Sequence, residues 1–294
     1  MPKLSSHQSA KTTKLLLIGD SGTGKTGSLA SLAEAGYKLR ILDLDNGLDV
    51  LKHYLTNPAS PYVKAKPDVA AQVDFCTITD PMVARGGKLF PAKAVAWQRA
   101  MDHLMDWCDP PKWEKAPEGT TRATLGPITS WDTDAVLVID SLSFLSTNAF
   151  NHHLAVNGKL GADLTQNEWR RAIGQAQQQI RSFLELIYDA SVKCNVILTA
   201  HITFVSEAGE RPDDSHPGTG YPSAIGRALS PHIPRYFNTV LQTRSIGSGP
   251  STRRVISTQP VGMVNLKSTA PLKAKPEYPL TTGLADYFKA VREP

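Results

Sequence analysis

The sequence has no long hydrophobic runs. Its longest apolar stretches are five or six residues, far short of the ~20 that a membrane-spanning helix requires. Hydrophobic residues make up 41% and charged residues 20% of the 294 residues, as is usual for folded domains in water. We therefore expect a cytoplasmic protein with no membrane partner, large enough for one α/β domain.

Cysteine is also scarce. The three cysteines, Cys76, Cys108 and Cys194, form no CxxC pair, and such an odd, sparse count is typical of a reducing compartment. Residues 1–13 are polar and have no apolar segment of the kind found in secretory signals. We expect these residues to form a flexible tail.

Acidic residues are missing from one long stretch. None lies between Asp214 and Glu277, whereas the same stretch holds eight lysines and arginines. Such a stretch indicates a surface for polyanions, either nucleic acid or the phosphates of a nucleotide. The alternative is a solvated basic face whose charge is balanced by acidic residues from elsewhere in the fold. The eight cations are Arg227, Arg235, Arg244, Arg253, Arg254, Lys267, Lys273 and Lys275.

Short apolar runs alternate with helical patterns along the chain. Buried strands are predicted at 14–18, 39–44, 73–79, 135–139 and 195–201, and helices at 25–35, 94–107 and 166–190. Later strands are predicted close together at 239–244, 254–258 and 262–266. This alternation predicts an α/β fold with a mostly parallel twisted sheet flanked by helices, and with antiparallel late strands.

We expect one domain over residues 14–284. Residues 109–133 carry several prolines and glycines and are predicted to be a loop insertion. Residues 205–223 are polar and rich in Gly and Pro, which predicts a mobile loop. Residues 285–294 are expected to form a C-terminal tail.

A phosphate-binding motif follows the first predicted strand. Residues 19–26 match G-x-x-x-x-G-K-[ST] in full, between an apolar strand and a helix. Glycines let successive backbone N–H groups point at phosphate oxygens, and the helix N-terminus favours their charge. Lys25 would neutralise the β- and γ-phosphates, and the Thr26 hydroxyl would bind Mg²⁺. The predicted ATP-binding residues are Gly19, Asp20, Ser21, Gly22, Thr23, Gly24, Lys25 and Thr26.

Three further positions complete a predicted Mg·ATP site. Asp140 ends the apolar strand 135–139, where an acidic residue can hold Mg²⁺. His201 ends another apolar strand and is a candidate sensor of the γ-phosphate; alternatively it is an ordinary strand-end histidine. The carboxylate that orients the attacking water is either Asp45 or Asp80, since each follows a predicted strand.

The order of these elements resembles the RecA-type recombinase core over about 11–280. Residues 138–141, Val-Ile-Asp-Ser, are similar to the Asp-Ser pair of that family, and residues 41–49 to its second strand. The length and His201 are most similar to small phage RecA-like ATPases of single-strand annealing and recombination. The family's glutamate after the third strand is not evident here, and the insertion at 109–133 has no counterpart.

The resemblance implies a RecA-like P-loop NTPase fold and an ATPase that acts on single-stranded DNA. It places His201 at the switch that couples ATP to DNA, and residues 205–223 at a DNA-binding loop. Lys267 falls on a late strand whose lysine reaches the ATP of the next subunit, which implies a homo-oligomer, a ring or filament with ATP at the interfaces. If the chain is phage-encoded, it would act in the cytoplasm of a bacterial host. Candidate DNA contacts are Arg211, Tyr221, Arg227 and Arg235.

Two other functions stay open. One is a nucleotide-gated binding or loading module with little turnover of ATP, because the catalytic carboxylate is ambiguous. The other is a small-molecule or nucleotide kinase, which would need an arginine-rich lid over a second pocket; here the arginines are spread through a Gly/Pro loop and late strands.

Overall fold

An eight-stranded sheet forms the centre of the protein. The computed structural model describes residues 12–205 and 218–292. Six neighbouring strands are parallel, and the last two join antiparallel, so the predicted α/β class with antiparallel late strands is confirmed. In spatial order the strands are β14 (Glu277–Pro279), β13 (Arg253–Ser257), β12 (Thr239–Ile246), β1 (Lys14–Ile18), β9 (Asn195–Ala200), β8 (Ala135–Asp140), β2 (Lys38–Asp43) and β3 (Val73–Thr77).

Helices cover both faces of this sheet. They are α1 (Lys25–Ser28), α2 (Ala30–Glu34), α3 (Asp49–Thr56), α4 (Pro61–Ala65), α5 (Ala96–Met105), α6 (Leu142–Val156), α7 (Gln166–Tyr188) and α8 (Gly283–Arg292). Successive side chains of β1 enter opposite cores, Leu16 on the α5–α7 side and Leu15 on the α1–α4 side. The central strands are continuous apolar runs because both of their faces are buried.

The predicted helix at 166–190 matches α7, which starts with a capping box. The Thr165 side chain accepts a hydrogen bond from the Glu168 backbone N–H, and Glu168 accepts one from the Thr165 backbone. The predicted helix at 25–35 is divided at Leu29 into α1 and α2. None of the helices in the described ranges is long and apolar enough to cross a membrane.

The expected tail at 285–294 is wrong for the residues that the structure describes, because they belong to α8. Leu284, Tyr287 and Phe288 recur at helical spacing and are fully buried against the sheet. Arg292, near the end of the helix, lies over the Tyr37 ring at 4.9 Å and donates a hydrogen bond to Asn195 Oδ1 at 2.8 Å. Burial of this apolar stripe explains why the segment is structured.

The insertion at 109–133 is likewise structured rather than a plain loop. Its segment β7 (Ala123–Gly126) pairs antiparallel with β6 (Trp107–Asp109), and a 3-10 turn follows at Ile128–Ser130. Trp107 and Trp131 are buried with their ring centroids 5.5 Å apart. These aromatic residues join the insertion to the hydrophobic core on the α5–α7 side of the sheet.

Two further hairpins were not predicted. β4 (Met82–Arg85) pairs with β5 (Lys88–Pro91), and β10 (Ile202–Val205) pairs with β11 (Thr219–Pro222). The second hairpin occupies both ends of the predicted mobile loop 205–223, of which residues 206–217 lie outside the described part.

The strand predicted at 262–266 is wrong. Val264 makes only isolated bridges, to Gly220 and Val261, and Lys267 bridges Val240. The reason is that β13 already pairs with β12 from Gln242 to Ile246, so little of that edge is free for another strand.

Candidate nucleotide-binding site

The glycine-rich loop 19–26 joins β1 to α1 at the carboxyl edge of the sheet. Gly22 and Gly24 have φ values of 75° and 99°, a conformation that suits glycine. A Cβ on Gly24 would lie 2.4 Å from a methyl carbon of Leu280, so a larger residue there would require Leu280 to move. The Thr23 hydroxyl lies 2.8 Å from that of Thr243, which ties the loop to β12. The loop is therefore held in one shape by its neighbours.

Lys25 is covered by the loop that it belongs to. It is only 8% exposed. The ammonium donates hydrogen bonds to the carbonyl oxygens of Gly19 at 2.8 Å and Asp20 at 2.9 Å. Burial lowers the pKa of Lys25, and the nearby Asp140 carboxylate opposes that shift. The charge is thus held inside the loop, at the position where phosphate oxygens would enter.

Thr26 and Asp140 are brought together across the two motifs. The Thr26 hydroxyl donates to Asp140 Oδ2 at 2.6 Å, and Asp140 Oδ1 accepts a hydrogen bond from the Thr199 hydroxyl. A hydroxyl and a carboxylate at hydrogen-bond distance are hard oxygen donors that suit Mg²⁺. No group of three His, Cys, Asp or Glu side chains within 12–205 and 218–292 could hold a metal ion. A magnesium ion here would need phosphate oxygens to complete its shell, as is common for nucleotide sites.

Asp45 faces the cavity of about 500 Å³ above the loop, which Lys25, Thr26 and Asp140 also line. Its Oδ1 atom is buried and has no hydrogen-bond partner. Burial, together with the like charges of Asp140 and Asp43, raises the pKa of Asp45 to about 7. A carboxylate with a free oxygen and a pKa near neutrality is suited to exchange a proton with water.

Asp80 is placed differently. Its Oδ1 atom accepts hydrogen bonds from the backbone N–H groups of Val95 and Ala96, both at 2.7 Å. These groups lie at the N-terminus of α5, so Asp80 caps that helix. It is not among the residues that line the cavity. Of the two candidate carboxylates, the structure brings only Asp45 to the loop.

His201 also lines the cavity and connects it to the β10–β11 hairpin. Burial and the Lys25 charge lower the pKa of His201, with Asp140 opposing, which favours a neutral imidazole. The His201 carbonyl accepts a hydrogen bond from Ser223 N at 2.7 Å, just after β11, and β10 begins at the next residue. A shift of His201 would therefore move both strands of the hairpin.

The cavity also has lining residues that the sequence did not indicate, among them Arg254 and Phe144. Arg254 projects from β13 and Phe144 from the first turn of α6, and both line the cavity. Arg254 was visible only as one cation of the acid-free stretch, and its position depends on how β13 folds back on β12. Nothing in the sequence distinguished Phe144, which is 45% exposed.

Lys267 is not among the residues that line the cavity of its own chain. Its backbone exchanges hydrogen bonds with Val240, at 2.8 and 3.2 Å, and burial lowers the pKa of its side chain.

The predicted DNA contacts are scattered. Tyr221 lies on β11 opposite Thr203, and Arg227 and Arg235 are exposed beyond the hairpin. Arg211 lies outside the described residues.

Glu277 balances part of the acid-free stretch. It forms salt bridges with Arg244 at 3.2 Å and with Arg253 at 2.7 Å. For these two arginines the acidic neighbour predicted by the alternative interpretation is present. The polyanion interpretation therefore depends on the other six cations.

Comparison with protein families gives one match over most of the chain. A family model described as "AAA domain" (AAA_24) matches residues 11–269. No curated protein matches the sequence.

Several solved structures are similar at low identity. A RadB recombinase is 10% identical with a TM-score of 0.41, over 88% of this chain and 83% of its own. A KaiC-like protein from Pyrococcus horikoshii is 12% identical with a TM-score of 0.38, over 83% and 77%. The flagellar accessory protein FlaH from Methanocaldococcus jannaschii is 11% identical with a TM-score of 0.40, over 92% and 87%.

Proposed function

The chain belongs to this family of AAA domains, and on that premise we propose that it binds Mg·ATP at residues 19–26, hydrolyses it, and acts on single-stranded DNA in recombination or annealing, as phage RecA-like proteins do. The observation that carries the proposal is the convergence of Lys25, Thr26 and Asp140 at one cavity. The lysine is held by carbonyl oxygens and lies beside a hydrogen-bonded hydroxyl and carboxylate. This arrangement suits a nucleoside triphosphate with its magnesium ion.

Four residues of the cavity have a role in binding and hydrolysis under this proposal. Lys25 exchanges its bonds to Gly19 and Asp20 for bonds to phosphate oxygens. Thr26 and Asp140 hold Mg²⁺, which supplies positive charge at the phosphates when bound. Asp45 orients the attacking water and accepts its proton, because Asp45 lines the cavity and its pKa is raised to about 7.

Coupling to DNA runs through His201. His201 lines the cavity, and its carbonyl oxygen accepts a hydrogen bond from Ser223 at the base of the β10–β11 hairpin. Tyr221 on β11 offers a ring for base stacking, and Arg227 and Arg235 beyond it offer cations for backbone phosphates. Arg211, which lies between β10 and β11 in the sequence, is a further proposed phosphate contact.

The proposal includes assembly into a homo-oligomer. Lys267 does not line its own cavity, so a role at the nucleotide requires a neighbouring subunit. A compact ammonium supplied from that subunit would stabilise the γ-phosphate as an arginine finger does.

A nucleotide-gated module with little turnover is the second candidate. It is favoured by one observation: Asp80 caps a helix, which leaves Asp45 as the only candidate base, and Asp45 is crowded by the like charges of Asp43 and Asp140. If these charges keep Asp45 protonated in the complex, ATP would bind without being turned over.

ATP hydrolysis measured with and without single-stranded DNA separates these functions. We expect slow turnover that rises when DNA is added, whereas tight ATP binding without turnover would favour the gated module. Phosphate transfer to a small molecule instead of water would indicate a kinase.

DNA binding has a separate test with a matched pair of variants. For about five neutralised phosphates, log K should fall against log[salt] with a slope near −3.5, from roughly 0.7 per contact. Arg235→Ala should weaken binding, whereas Arg253→Ala should change it little because Arg253 pairs with Glu277. Affinity that does not vary with salt, or equal effects of the two variants, would contradict the proposed surface.

A further inference from the structure

A second cavity, of about 550 Å³, lies beside β3 and the β6–β7 hairpin, apart from the phosphate loop. Three carboxylates line it, those of Asp74, Asp109 and Glu114. No lysine or arginine is among the described residues that line it. The cavity therefore presents negative charge only.

These carboxylates are not neutralised by salt bridges within the described ranges. Burial raises the pKa of Asp74, although the Arg40 charge opposes that shift. The Arg40 guanidinium instead stacks on the Trp131 ring, 4.0 Å from its centroid, and two of its nitrogen atoms have no hydrogen-bond partner. Three unpaired carboxylates around one cavity repel one another, and a bound cation would relieve that repulsion.

His103 gives a second, independent indication of a ligand. It lines the same cavity and is only 1% exposed, yet neither ring nitrogen has a hydrogen-bond partner. Burial lowers the pKa of His103 to about 4, so the ring is neutral at physiological pH. A neutral imidazole has one acceptor nitrogen, which can receive a hydrogen bond from an ammonium group. Buried polar groups without partners are rare in native proteins.

The remaining walls are apolar and aromatic. The Trp107 ring packs against His103 with their centroids 4.2 Å apart, and Phe75 on the outer strand is 62% exposed. Aromatic faces attract ammonium groups and pack against methylene chains. The cavity volume is within the usual range for a site that binds a small ligand.

We propose that this cavity binds a small aliphatic polyamine. A ligand with more than one positive charge would balance the three carboxylates. The aromatic walls contact its methylene segments, and His103 accepts a hydrogen bond from one ammonium group. The site does not depend on the nucleotide cavity, so its success or failure leaves the ATPase proposal untouched.

Calorimetric titration of the full chain with spermidine, without nucleotide, tests the proposal. Asp109→Asn and Glu114→Gln should each weaken binding about fivefold, the size expected for one ion pair near the surface, and together about 25-fold. Glu118→Gln is the matched control, because Glu118 is exposed in the same insertion and does not line the cavity. Thermal unfolding of each variant shows whether it folds.

The outcomes are distinct. Spermidine binding that weakens in the two lining variants but not in Glu118→Gln supports the site, as does lost binding in a folded His103→Phe variant. No binding by the wild-type chain, equal binding by the double variant, or displacement by an equal concentration of Mg²⁺ would overturn it. Mg²⁺ displacement would mean that any cation satisfies the carboxylates.

Discussion

Replacing Asp45 and Asp80 separately by alanine tests which carboxylate serves hydrolysis. The two residues look alike in the sequence, since each follows a predicted strand. Each carboxylate has one buried oxygen without a hydrogen-bond partner, but Asp45 lines the nucleotide cavity, whereas Asp80 accepts two backbone hydrogen bonds at the start of α5. Asp45→Ala should therefore lose ATP turnover, whereas Asp80→Ala should lose stability.

Asp80→Ala should lower stability and leave turnover nearly unchanged. Loss of a helix cap costs about 1–2 kcal/mol. For a domain of this size that loss lowers the melting temperature by roughly 2–4 °C per kcal/mol. The N–H groups of Val95 and Ala96 would lose their acceptor, and the phosphate loop would not change.

Asp45→Ala should lower turnover roughly 10²–10⁴-fold, the usual contribution of a general base. It should also stabilise the nucleotide-free protein at alkaline pH. Because the folded-state pKa is raised to about 7, the stability that protonation contributes is complete below the unfolded pKa of 3.8 and is lost as the pH rises through 7. The alanine variant has no such loss, so its advantage should be larger at pH 8 than at pH 5.

The assay is phosphate release at saturating Mg·ATP, with thermal unfolding of the same samples at both pH values. The assignment is refuted if Asp80→Ala abolishes turnover without lowering the melting temperature while Asp45→Ala hydrolyses ATP normally.

Three other variants probe separate features. Lys25→Ala should weaken ATP binding about 100-fold, for about 3 kcal/mol of charge-assisted contacts, and should also lower stability because Gly19 and Asp20 lose a donor; unchanged affinity in calorimetry would contradict this. Lys267→Ala should bind ATP but lose hydrolysis and ATP-promoted assembly, and mixing it with Lys25→Ala should restore some activity; a mixture that co-assembles and stays inactive would refute a role in trans. His103→Phe should make the protein less sensitive to acid. Because folding lowers the pKa of His103 from 6.5 to about 4, the free energy of unfolding of the wild-type chain falls by about 2–3 kcal/mol when the pH is lowered to 4.5. Equal urea unfolding of both proteins at pH 4.5 and 7 would contradict this.

The sheet and the phosphate loop were predictable because their signals are local. The apolar runs at β1, β8 and β9 follow from burial on both faces, and the glycines of 19–26 follow from the shape of that turn. The helix α8 was missed although Leu284, Tyr287 and Phe288 show its periodicity, since a short pattern near a chain end also fits a tail.

The residues that complete the site were harder to predict because their positions depend on tertiary structure. Asp80 caps a helix that begins 16 residues later, so its partners could not be inferred from spacing. Arg254 reaches the cavity only because β13 turns back along β12. Glu277 neutralises Arg244 across 33 residues, which a count of charges along the chain does not show.

The central claim is that Lys25, Thr26 and Asp140 form a working Mg·ATP site. The most direct measurement is phosphate release from ATP by the wild-type chain and by Asp140→Asn, with Mg²⁺ and with a chelator, in the presence of single-stranded DNA. The account predicts release that requires Mg²⁺ and is lost in the folded variant. Release that persists in the chelator or in Asp140→Asn, or no release under any of these conditions, would contradict it.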